Sequence, residues 1–433
     1  MSVSPEQQRA EDKLRSLELF GMRFGLDRMR RMMTALDSPE RRFQTIHVLG
    51  TNGKSSTTRM TAAILERHGL ATAAYVSPHL VAYRERVMIG EREVEPDVFA
   101  RSVDAAVRAA ERVNRTLGED DHVTQFELLT AAGFCAMAAA GVDVGVIEAG
   151  LGGRYDATSV IDAGVTVLTN TGLEHTRWLG PTVRDIAEEK LAVVRQGGTL
   201  VLGADLHEDA LAVARRVACE RGARIVTAER LPAKLRLLAR GPFQRRNFAL
   251  AVAAASAYLE ALGRELDRDA VLAAAAETFV AGRLQTISED PLTLLDGAHN
   301  PAAVEALAEA LPELVGSRPV GLVLGVLEDK DSVSMLRTLL PLCARAWFTA
   351  PPSGRALSPA ALESHARHLG FEAMSSVPRP AAALVAAQEW ARGVGGVVVA
   401  TGSVYLAGDL IAAQGEGSGS LAPAQAGSAG SAP

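Results

Sequence analysis

The sequence contains a glycine-rich segment whose residue types suit the binding of a phosphate group. Gly50-Thr-Asn-Gly-Lys-Ser-Ser56 follows the apolar run Thr45–Leu49 and opens a helical pattern. Glycines let backbone N–H groups converge on an anion, a lysine adds positive charge, and a serine hydroxyl can reach a magnesium ion. The spacing is GxxGKS, because Val48 stands where a full P-loop has its first glycine. The alternative is a glycine turn capped by Ser55, but the strand–loop–helix order favours a nucleotide phosphate site.

Two further apolar runs end in polar residues. Glu148 and a glycine-rich turn follow Val142–Ile147, and His175 lies shortly after Val165–Thr169. Ligands of open α/β sheets gather at the carboxyl ends of strands, which places Glu148 for a metal ion and His175 for a metal ion or a phosphate. The alternative for Glu148 is a solvated acid in a turn, and the alternative for His175 is a polar residue at the surface. Lys190, on a helical pattern, is by itself interpreted as an exposed charge.

A fourth polar segment, Asp296-Gly-Ala-His-Asn-Pro301, follows the apolar run Leu292–Leu295. Asn300 or His299 can cap the next helix, with proline in its first turn. Helix capping explains Asn300 and Pro301 but leaves Asp296 and His299 unexplained. An Asp/His pair that faces a nucleotide site across a cleft between domains is the functional interpretation.

The elements that must position these residues follow from the alternation of apolar runs with helical patterns. This alternation predicts an α/β fold with a doubly wound, mostly parallel sheet in a P-loop ATPase domain, followed by a smaller α/β Rossmann-like C-terminal domain. The domains are predicted at residues 1–286 and 291–413, with a disordered tail at 414–433. The predicted strands are Thr45–Leu49, Thr72–Val76, Val142–Ile147, Val165–Thr169, Thr199–Leu202, Arg224–Thr227, Leu292–Leu295, Val320–Leu324, Ala344–Phe348 and Val397–Ala400, and the predicted helices include Ser55–His68, Asp97–Arg115, Thr182–Arg195 and Gln244–Glu260.

Composition excludes several classes of protein. The 433 residues include 45 Lys and Arg against 51 Asp and Glu, and this net charge of −6 argues against a general nucleic-acid binder. The three cysteines show no CxxC spacing, which argues against a disulfide framework or a structural zinc site and indicates a reducing cytoplasm. No apolar run approaches the roughly 20 residues of a membrane span, so no membrane partner is expected.

The chain resembles the bifunctional folylpolyglutamate synthase/dihydrofolate synthase enzymes of the Mur ligase superfamily. The resemblance extends from about Leu19 to Leu410 and rests on the number and order of its motifs. These motifs are Phe24-Gly-Leu-Asp-Arg-Met29, His47-Val-Leu-Gly-Thr-Asn-Gly-Lys54, Ser77-Pro-His-Leu80, Arg84-Glu-Arg86, Thr124-Gln-Phe-Glu127, Gly150-Leu-Gly-Gly-Arg154, Asp156-Ala-Thr158, Gly172-Leu-Glu-His175, Gly241 with Gln244 and Asn247, Gly282-Arg-Leu284, Asp296–Pro301, Asp329-Lys-Asp331 and Thr401-Gly-Ser403.

The resemblance implies an ATP-dependent ligase that adds L-glutamate to dihydropteroate, or to the glutamate tail of reduced folates, through an acyl phosphate. It implies ATP and two Mg²⁺ ions as cofactors, with K⁺ as a further cation, and a cytoplasmic monomer. The implied ATP-binding residues are Gly50, Thr51, Asn52, Gly53, Lys54, Ser55, Ser56, Asn247, Arg283 and Asp296. The implied metal ligands are Ser77, Glu148, His175 and Lys190, the last as a carbamate. The implied catalytic residues are Lys54, Glu148, His175, carbamylated Lys190 and His299.

The resemblance also implies a folate or pterin pocket, and the sequence departs from the family pattern at a few positions. Glu174 stands where the family usually has Asp, Ser55 where it has Gly, and Phe243 where it has His. These departures affect details of packing and not the class of reaction. The implied folate-binding residues are Gly25, Leu26, Asp27, Thr124, Gln125, Phe126, Glu127, Tyr155, Asp156 and Ala157.

Three alternative functions fit the sequence less well than the ligase. A muramyl-peptide ligase of the same superfamily usually has a domain of about a hundred residues before its loop, and only 49 residues precede Gly50. A nucleotide-dependent switch would not need Asp296, His299 or Lys190. An inactive paralogue is disfavoured because each catalytic-type residue is present or conservatively replaced.

Overall fold

Two β-sheets flanked by helices organise residues 5–16 and 25–415, the part of the chain that the computed structural model describes. The first sheet contains β1 (Gln44–Leu49), β2 (Thr72–Tyr75), β3 (Val87–Ile89), β4 (Arg92–Glu93), β5 (Val144–Glu148), β6 (Val165–Leu168), β7 (Thr199–Leu202) and β8 (Arg224–Thr227). The second sheet contains β9 (Gln285–Glu289), β10 (Leu292–Leu295), β11 (Val320–Leu324), β12 (Arg345–Phe348), β13 (Met374–Ser376) and β14 (Val397–Thr401).

Helices connect the strands and cover the sheets, as expected for parallel strands that need crossover connections. Along the chain they are α1 (Pro5–Ser16), α2 (Asp27–Ala35), α3 (Lys54–Arg67), α4 (Pro96–Asn114), α5 (Gln125–Ala140), α6 (Thr176–Leu179), α7 (Val183–Leu191), α8 (Glu208–Arg221), α9 (Pro242–Ala261), α10 (Arg268–Glu277), α11 (Pro301–Val315), α12 (Ser332–Leu339), α13 (Pro359–His368), α14 (Pro380–Val394) and α15 (Val404–Gly415). No helix in the described ranges has both the length and the apolar character needed to cross a lipid bilayer.

The first sheet has the strand order β4-β3-β2-β5-β1-β6-β7-β8, and β3 and β4 are its antiparallel members. Its central strands β1, β5 and β6 are buried along almost their whole length, which explains their nearly continuous apolar sequence. β1 lies between β5 and β6, and the connection from β1 to β2 runs towards one edge of the sheet while the connection from β5 to β6 runs towards the other. Such a switch point opens a crevice at the carboxyl end of the strand, and the glycine-rich segment follows β1 there.

The second sheet has the order β13-β12-β11-β14-β10-β9 and is parallel except for β9, which pairs antiparallel with β10. The domain boundary predicted at residues 286–291 falls inside this β9–β10 hairpin, so the second sheet begins before it, at Gln285. The polar side chains between Ile287 and Pro291 resemble a linker between domains in sequence, because an edge strand need not be apolar on its outer side. The division into domains 1–286 and 291–413 stays a prediction.

The predicted α/β class and mostly parallel sheets are confirmed, and each predicted strand lies within two residues of an observed one. Strands β3, β4, β9 and β13 were not predicted, because they are short and lie at or near sheet edges where little apolar surface is buried. The predicted tail 414–433 lies outside the described residues beyond Gly415, with α15 ending at that residue. Leu19 and Phe24, at the start of the family resemblance, also lie outside them.

His47 is a buried polar residue at the centre of the first sheet. Its Nε2 atom lies 2.9 Å from the Thr158 hydroxyl oxygen, and its side chain is almost fully shielded from water. Burial lowers the pKa of His47 to about 3. The folded protein therefore holds this imidazole neutral at pH values where an unfolded chain would protonate it.

We expect the stability of the fold to decrease on acidification through this residue. Between about pH 6.5 and 3 the unfolded chain binds a proton at His47 that the folded chain excludes, which lowers the free energy of unfolding by about 1.4 kcal/mol per pH unit. Urea unfolding at pH 7 and pH 5 should give a steeper decrease in wild type than in His47→Gln. Identical decreases in the two proteins would show that His47 does not remain neutral when buried.

Candidate functional site

A cavity of about 830 Å³ lies where strand ends of both sheets meet. Residues just after β1, β6, β7 and β8 line it from the first sheet, and residues just after β10 line it from the second. Every residue predicted to bind ATP, to bind metal or to act in catalysis lines this one cavity. These are Gly50, Thr51, Asn52, Gly53, Lys54, Ser55, Ser56, Ser77, Glu148, His175, Lys190, Asn247, Arg283, Asp296 and His299.

The loop between β1 and α3 has the backbone conformation that its glycines permit. Gly50 has a φ of 146° and Gly53 a φ of 83°, both in the region that residues with a Cβ atom rarely adopt. The neighbouring segment after β6 holds the loop: Asn170 Oδ1 accepts a hydrogen bond from Asn52 N at 2.9 Å, and the Thr169 hydroxyl donates to Asn52 O at 2.6 Å. The helix α3 begins directly after Gly53, so its N-terminal N–H groups and its dipole face the cavity.

Lys54 and Glu148 place opposite charges at the end of this loop. The Lys54 ammonium donates to Thr51 O at 3.1 Å, which folds the side chain back over the loop. Glu148 is the last residue of β5 and its carboxylate is buried; it accepts from the Ser55 hydroxyl at 3.0 Å and from Ser77 N at 3.1 Å. Burial raises the pKa of Glu148, and the charge of Lys54 opposes that rise.

This group of oxygen atoms fits a magnesium ion. Mg²⁺ is usually held by one or two carboxylates together with water and substrate phosphates, and it prefers oxygen ligands. Glu148 supplies the carboxylate, and hydroxyl groups of Ser55 and Ser77 line the same cavity. Within residues 5–16 and 25–415 there is no cluster of three or more His, Cys, Asp or Glu side chains that would form a cage made of protein ligands alone.

Lys190 is a buried cation at the floor of the cavity. Helix α7 begins after a capping box between Thr182 and Asp185. Lys190 lies in the last turn of this helix, and its ammonium donates a hydrogen bond to Gly50 O at 2.8 Å. Burial lowers the pKa of Lys190 to about 7, and repulsion by Lys54 adds to this effect. The interpretation of Lys190 as an exposed charge, drawn from its helical position alone, is therefore wrong.

The second sheet contributes acidic and basic side chains from the segment after β10. Asp296 is buried and accepts from Leu284 N at 2.9 Å and from Ala298 N at 2.8 Å, which fixes its carboxylate. Burial raises the pKa of Asp296, while the nearby Arg283 guanidinium opposes that rise. His299 Nδ1 lies 2.9 Å from Gly297 O, and since a carbonyl only accepts, Nδ1 carries the proton.

A pair of amides joins the two halves of the cavity. Asn300 Nδ2 donates to Asn52 Oδ1 at 3.0 Å, and Asn52 Nδ2 donates to Asn300 Oδ1 at 3.3 Å. The same Asn300 oxygen accepts from Ala303 N at 2.8 Å and caps α11, and Pro301 occupies the first turn. Of the two predicted cap residues, Asn300 is therefore the one that caps the helix. Its contact with Asn52 also fixes the distance between the second sheet and the glycine-rich loop of residues 50–56, called the phosphate loop below.

Helix α9 forms one wall of the cavity. Asn247 lies beside Gly53, where an added Cβ atom would meet the Asn247 side chain. Its Nδ2 atom donates to Gln244 Oε1 at 3.0 Å. Gln244 Nε2 is buried without a hydrogen-bond partner among the described residues. The two amides of α9 therefore hold each other in place, while this one donor lacks an acceptor.

The residues predicted to bind folate lie outside this cavity. Thr124 and Glu127 form the capping box that opens α5, and Glu127 also pairs with the buried Arg28 guanidinium at 3.1 Å. Asp156 accepts from Leu151 N at 2.7 Å and so shapes the turn after β5. Within this set, Tyr155 lines a more open cleft of about 660 Å³ beside α6 and α7. The folate role of these segments stays a prediction.

Two residues of the cavity region received no role from the sequence. Glu174 lines the cavity, and Lys330 Nζ lies 3.8 Å from its Oε1 atom. The motif Asp329-Lys-Asp331 marks Lys330 in the sequence but does not show what this lysine contacts. Only the fold brings Lys330 close to the loop after β6.

Comparisons with known proteins agree with this geometry. The model of the family "Mur ligase, glutamate ligase domain" matches residues 282–404. Folylpolyglutamate synthase of Lacticaseibacillus casei is 33% identical over 362 residues, which cover 77% of this chain and 84% of that protein. Dihydrofolate synthase/folylpolyglutamate synthase of Bacillus subtilis is 29% identical over 415 residues, covering 90% and 95% of the two chains.

Solved structures show the same fold. Folylpolyglutamate synthase of Mycobacterium tuberculosis, in complex with ADP and AMPPCP, superposes with a TM-score of 0.87 at 30% identity and covers 95% of this chain and 98% of that chain. Escherichia coli FolC in complex with DHPP and ADP superposes with a TM-score of 0.82 at 29% identity, with the same coverage. The similarity therefore spans both sheets.

Gly53→Ala should weaken nucleotide binding through a local clash. The new Cβ atom would meet the Asn247 side chain, at a positive φ that already disfavours alanine. We expect the dissociation constant for ADP, measured by calorimetry, to rise at least about tenfold, which corresponds to a loss of about 1.4 kcal/mol. Gly69→Ala is the matched control, because Gly69 has a similar φ of 79° and nothing within 4 Å. Equal ADP affinity in the two variants would contradict a role for this contact.

Proposed function

The chain belongs to the folylpolyglutamate synthase/dihydrofolate synthase family of ATP-dependent ligases, which add glutamate in folate metabolism, and we propose how its own residues divide this reaction. The observation that carries the assignment of roles is the single cavity shared by the phosphate loop, Glu148 and the Asp296–Asn300 segment. A carboxylate is a poor acyl donor, because it has no good leaving group. Transfer of the γ-phosphoryl group of ATP to the carboxylate gives an acyl phosphate, which the amine of L-glutamate attacks with release of phosphate.

The phosphate loop binds and orients the nucleotide in this proposal. The N–H groups of residues 50–56 and the N-terminus of α3 surround the phosphates, and Lys54 approaches the transferred phosphoryl group. Asn247 contacts the adenine, Asp296 the ribose, and Arg283 a phosphate. These three contacts are what the resemblance to the family implies at these positions, and all three residues line the cavity.

The donor set of the cavity fits magnesium at two places. Glu148 with the hydroxyl groups of Ser55 and Ser77 would hold one ion, and His175 with a modified Lys190 would hold a second. When bound, Mg²⁺ neutralises charge on the phosphoryl group that moves. K⁺ is proposed as a further cation with no ligands assigned.

Lys190 is proposed to carry a carbamate. Its neutral amine can attack CO₂ and lose a proton, which replaces an ammonium by a carboxylate-like group. Burial supports this proposal, because it favours the neutral amine over the cation. The product supplies the oxygen donors that Mg²⁺ prefers, whereas an ammonium at this position would repel the ion.

We propose that the enzyme is a monomer, as the resemblance to the family implies. The substrates are ATP, L-glutamate and dihydropteroate or a reduced folate, with no role for nucleic acid or a membrane. The cysteines Cys135, Cys219 and Cys343 are all free, which supports a reducing compartment such as the cytoplasm.

An ADP-release assay tests this function. With ATP, Mg²⁺ and L-glutamate, ADP formation should depend on an acceptor, and 7,8-dihydropteroate and reduced folates are compared separately to show which activities the enzyme has. Asp296→Ala should abolish this turnover, because it removes the proposed ribose contact. Nucleotide binding with no glutamate-dependent ADP release by wild type would instead indicate a nucleotide switch.

Lys190→Ala should remove most of the ligase activity, because no carbamate can form. Substitution of a residue that only orients a metal ligand typically costs about 10–100-fold in metal affinity or activity, and loss of a ligand should cost at least as much. Bicarbonate at high concentration or a short carboxylate such as acetate should restore part of the activity of the variant. Near-normal activity of Lys190→Ala would contradict the carbamate proposal.

A further inference from the structure

Glu174 is a shielded carboxylate that contacts both halves of the cavity. Its side chain is 13% exposed. The Oε1 atom lies 3.6 Å from His175 Nε2 on its own segment, and from the second sheet it lies 3.8 Å from His299 Nε2 and 3.8 Å from Lys330 Nζ. Asn300 Nδ2 also donates to this oxygen at 3.4 Å. Glu174 therefore joins the loop after β6 to two separate segments of the second sheet.

The Glu174 carboxylate lies close to lysine side chains. Lys330 Nζ lies 3.8 Å from its Oε1 atom, and Lys54 lines the same cavity as Glu174. A carboxylate near two ammonium groups offsets their mutual repulsion, which would otherwise favour their separation. Removal of one partner from a shielded ion pair leaves the remaining charge uncompensated, and this is usually strongly unfavourable.

We propose that Glu174 is a positioning residue of the ligase reaction: its carboxylate holds Lys330 and the Asn300 amide, both from the second sheet, against the segment after β6. This inference rests on the proposed function, because Glu174 itself and the neighbouring His175 and His299 line the cavity in which the phosphoryl group would be transferred. The carboxylate and the phosphoryl group attract the same cations. Glu174 therefore organises the site while it reduces the attraction of the site for nucleotide phosphates.

The length of the side chain matters to this role. Glutamate extends one methylene further than aspartate. With the present backbone, an aspartate would keep the negative charge but would lie farther from Lys330 and Asn300. We expect Glu174→Asp to retain part of the effect that Glu174→Gln removes.

The central experiment compares Glu174→Gln and Glu174→Asp with wild type in steady-state ligation and in ADP binding. For Glu174→Gln we expect kcat to fall about tenfold or more, as is typical when a group that orients the reacting residues is lost. The KM for ATP and the dissociation constant for ADP should stay unchanged or fall, because a negative charge is removed near the phosphates. Glu174→Asp should recover part of the lost kcat.

A control variant and a double variant separate positioning from general damage. Glu40→Gln removes another shielded carboxyl group, far along the chain, that pairs with Arg41 and does not line the cavity; it should change neither kcat nor KM. If Glu174 acts through Lys330, then Glu174→Gln with Lys330→Met should lose less activity than the product of the two single losses.

Four outcomes would overturn the proposal. They are an unchanged kcat in Glu174→Gln, a rise in KM for ATP together with weaker ADP binding, an increased Mg²⁺ concentration for half-maximal activity, and fully independent losses in the double variant. The third outcome would identify Glu174 as a metal ligand instead. If wild type shows no glutamate-dependent ADP release, the proposed function fails, while ADP binding by wild type and Glu174→Gln still tests the electrostatic effect of the carboxylate.

Discussion

Several lysine side chains lie close together around one shielded cavity, and much of the site depends on how the repulsion between their charges is offset. Lys54 and Lys190 approach the same glycine-rich loop, and Lys330, from the second sheet, approaches Glu174 in the segment after β6. Each lysine is held by an oxygen acceptor: a loop carbonyl for the first two and the Glu174 carboxylate for the third. The protein carries a net charge of −6, so the attraction for anionic substrates is local and comes from these few side chains.

The geometry that makes this possible is the meeting of two sets of strand ends. The carboxyl ends of parallel strands in the first sheet face those of the second sheet across about 830 Å³ of space. The reciprocal amides of Asn52 and Asn300 connect the two sides directly. Because Asn300 also caps α11, the position of a whole helix of the second sheet is linked to the phosphate loop. A ligase that must bring a phosphoryl group, an acyl group and an amine together benefits from such a rigid connection.

Much of the site was predictable because its residues follow apolar strands within a few positions. Glu148 ends β5, the segment to His175 follows β6, and Asp296 follows β10, so local sequence already placed them at strand ends. Lys190 was different, because a helix pattern with charges on several sides does not reveal which charge is buried. Only packing of α7 against the loop shows that this lysine faces Gly50. The boundary predicted at 286–291 rests on a polar segment that the structure shows to be part of the β9–β10 hairpin, since a polar edge strand resembles a linker in sequence.

The sequence by itself determined the α/β class, the phosphate loop and the resemblance to folate ligases, because these depend on apolar periodicity and on short contiguous motifs. The tertiary structure decided which distant residues meet: Glu174 with Lys330, Asn52 with Asn300, and Gly53 with Asn247. These pairs are separated by more than a hundred residues along the chain. Their contact depends on the strand order and on the relative position of the two sheets, which no local pattern of residues records.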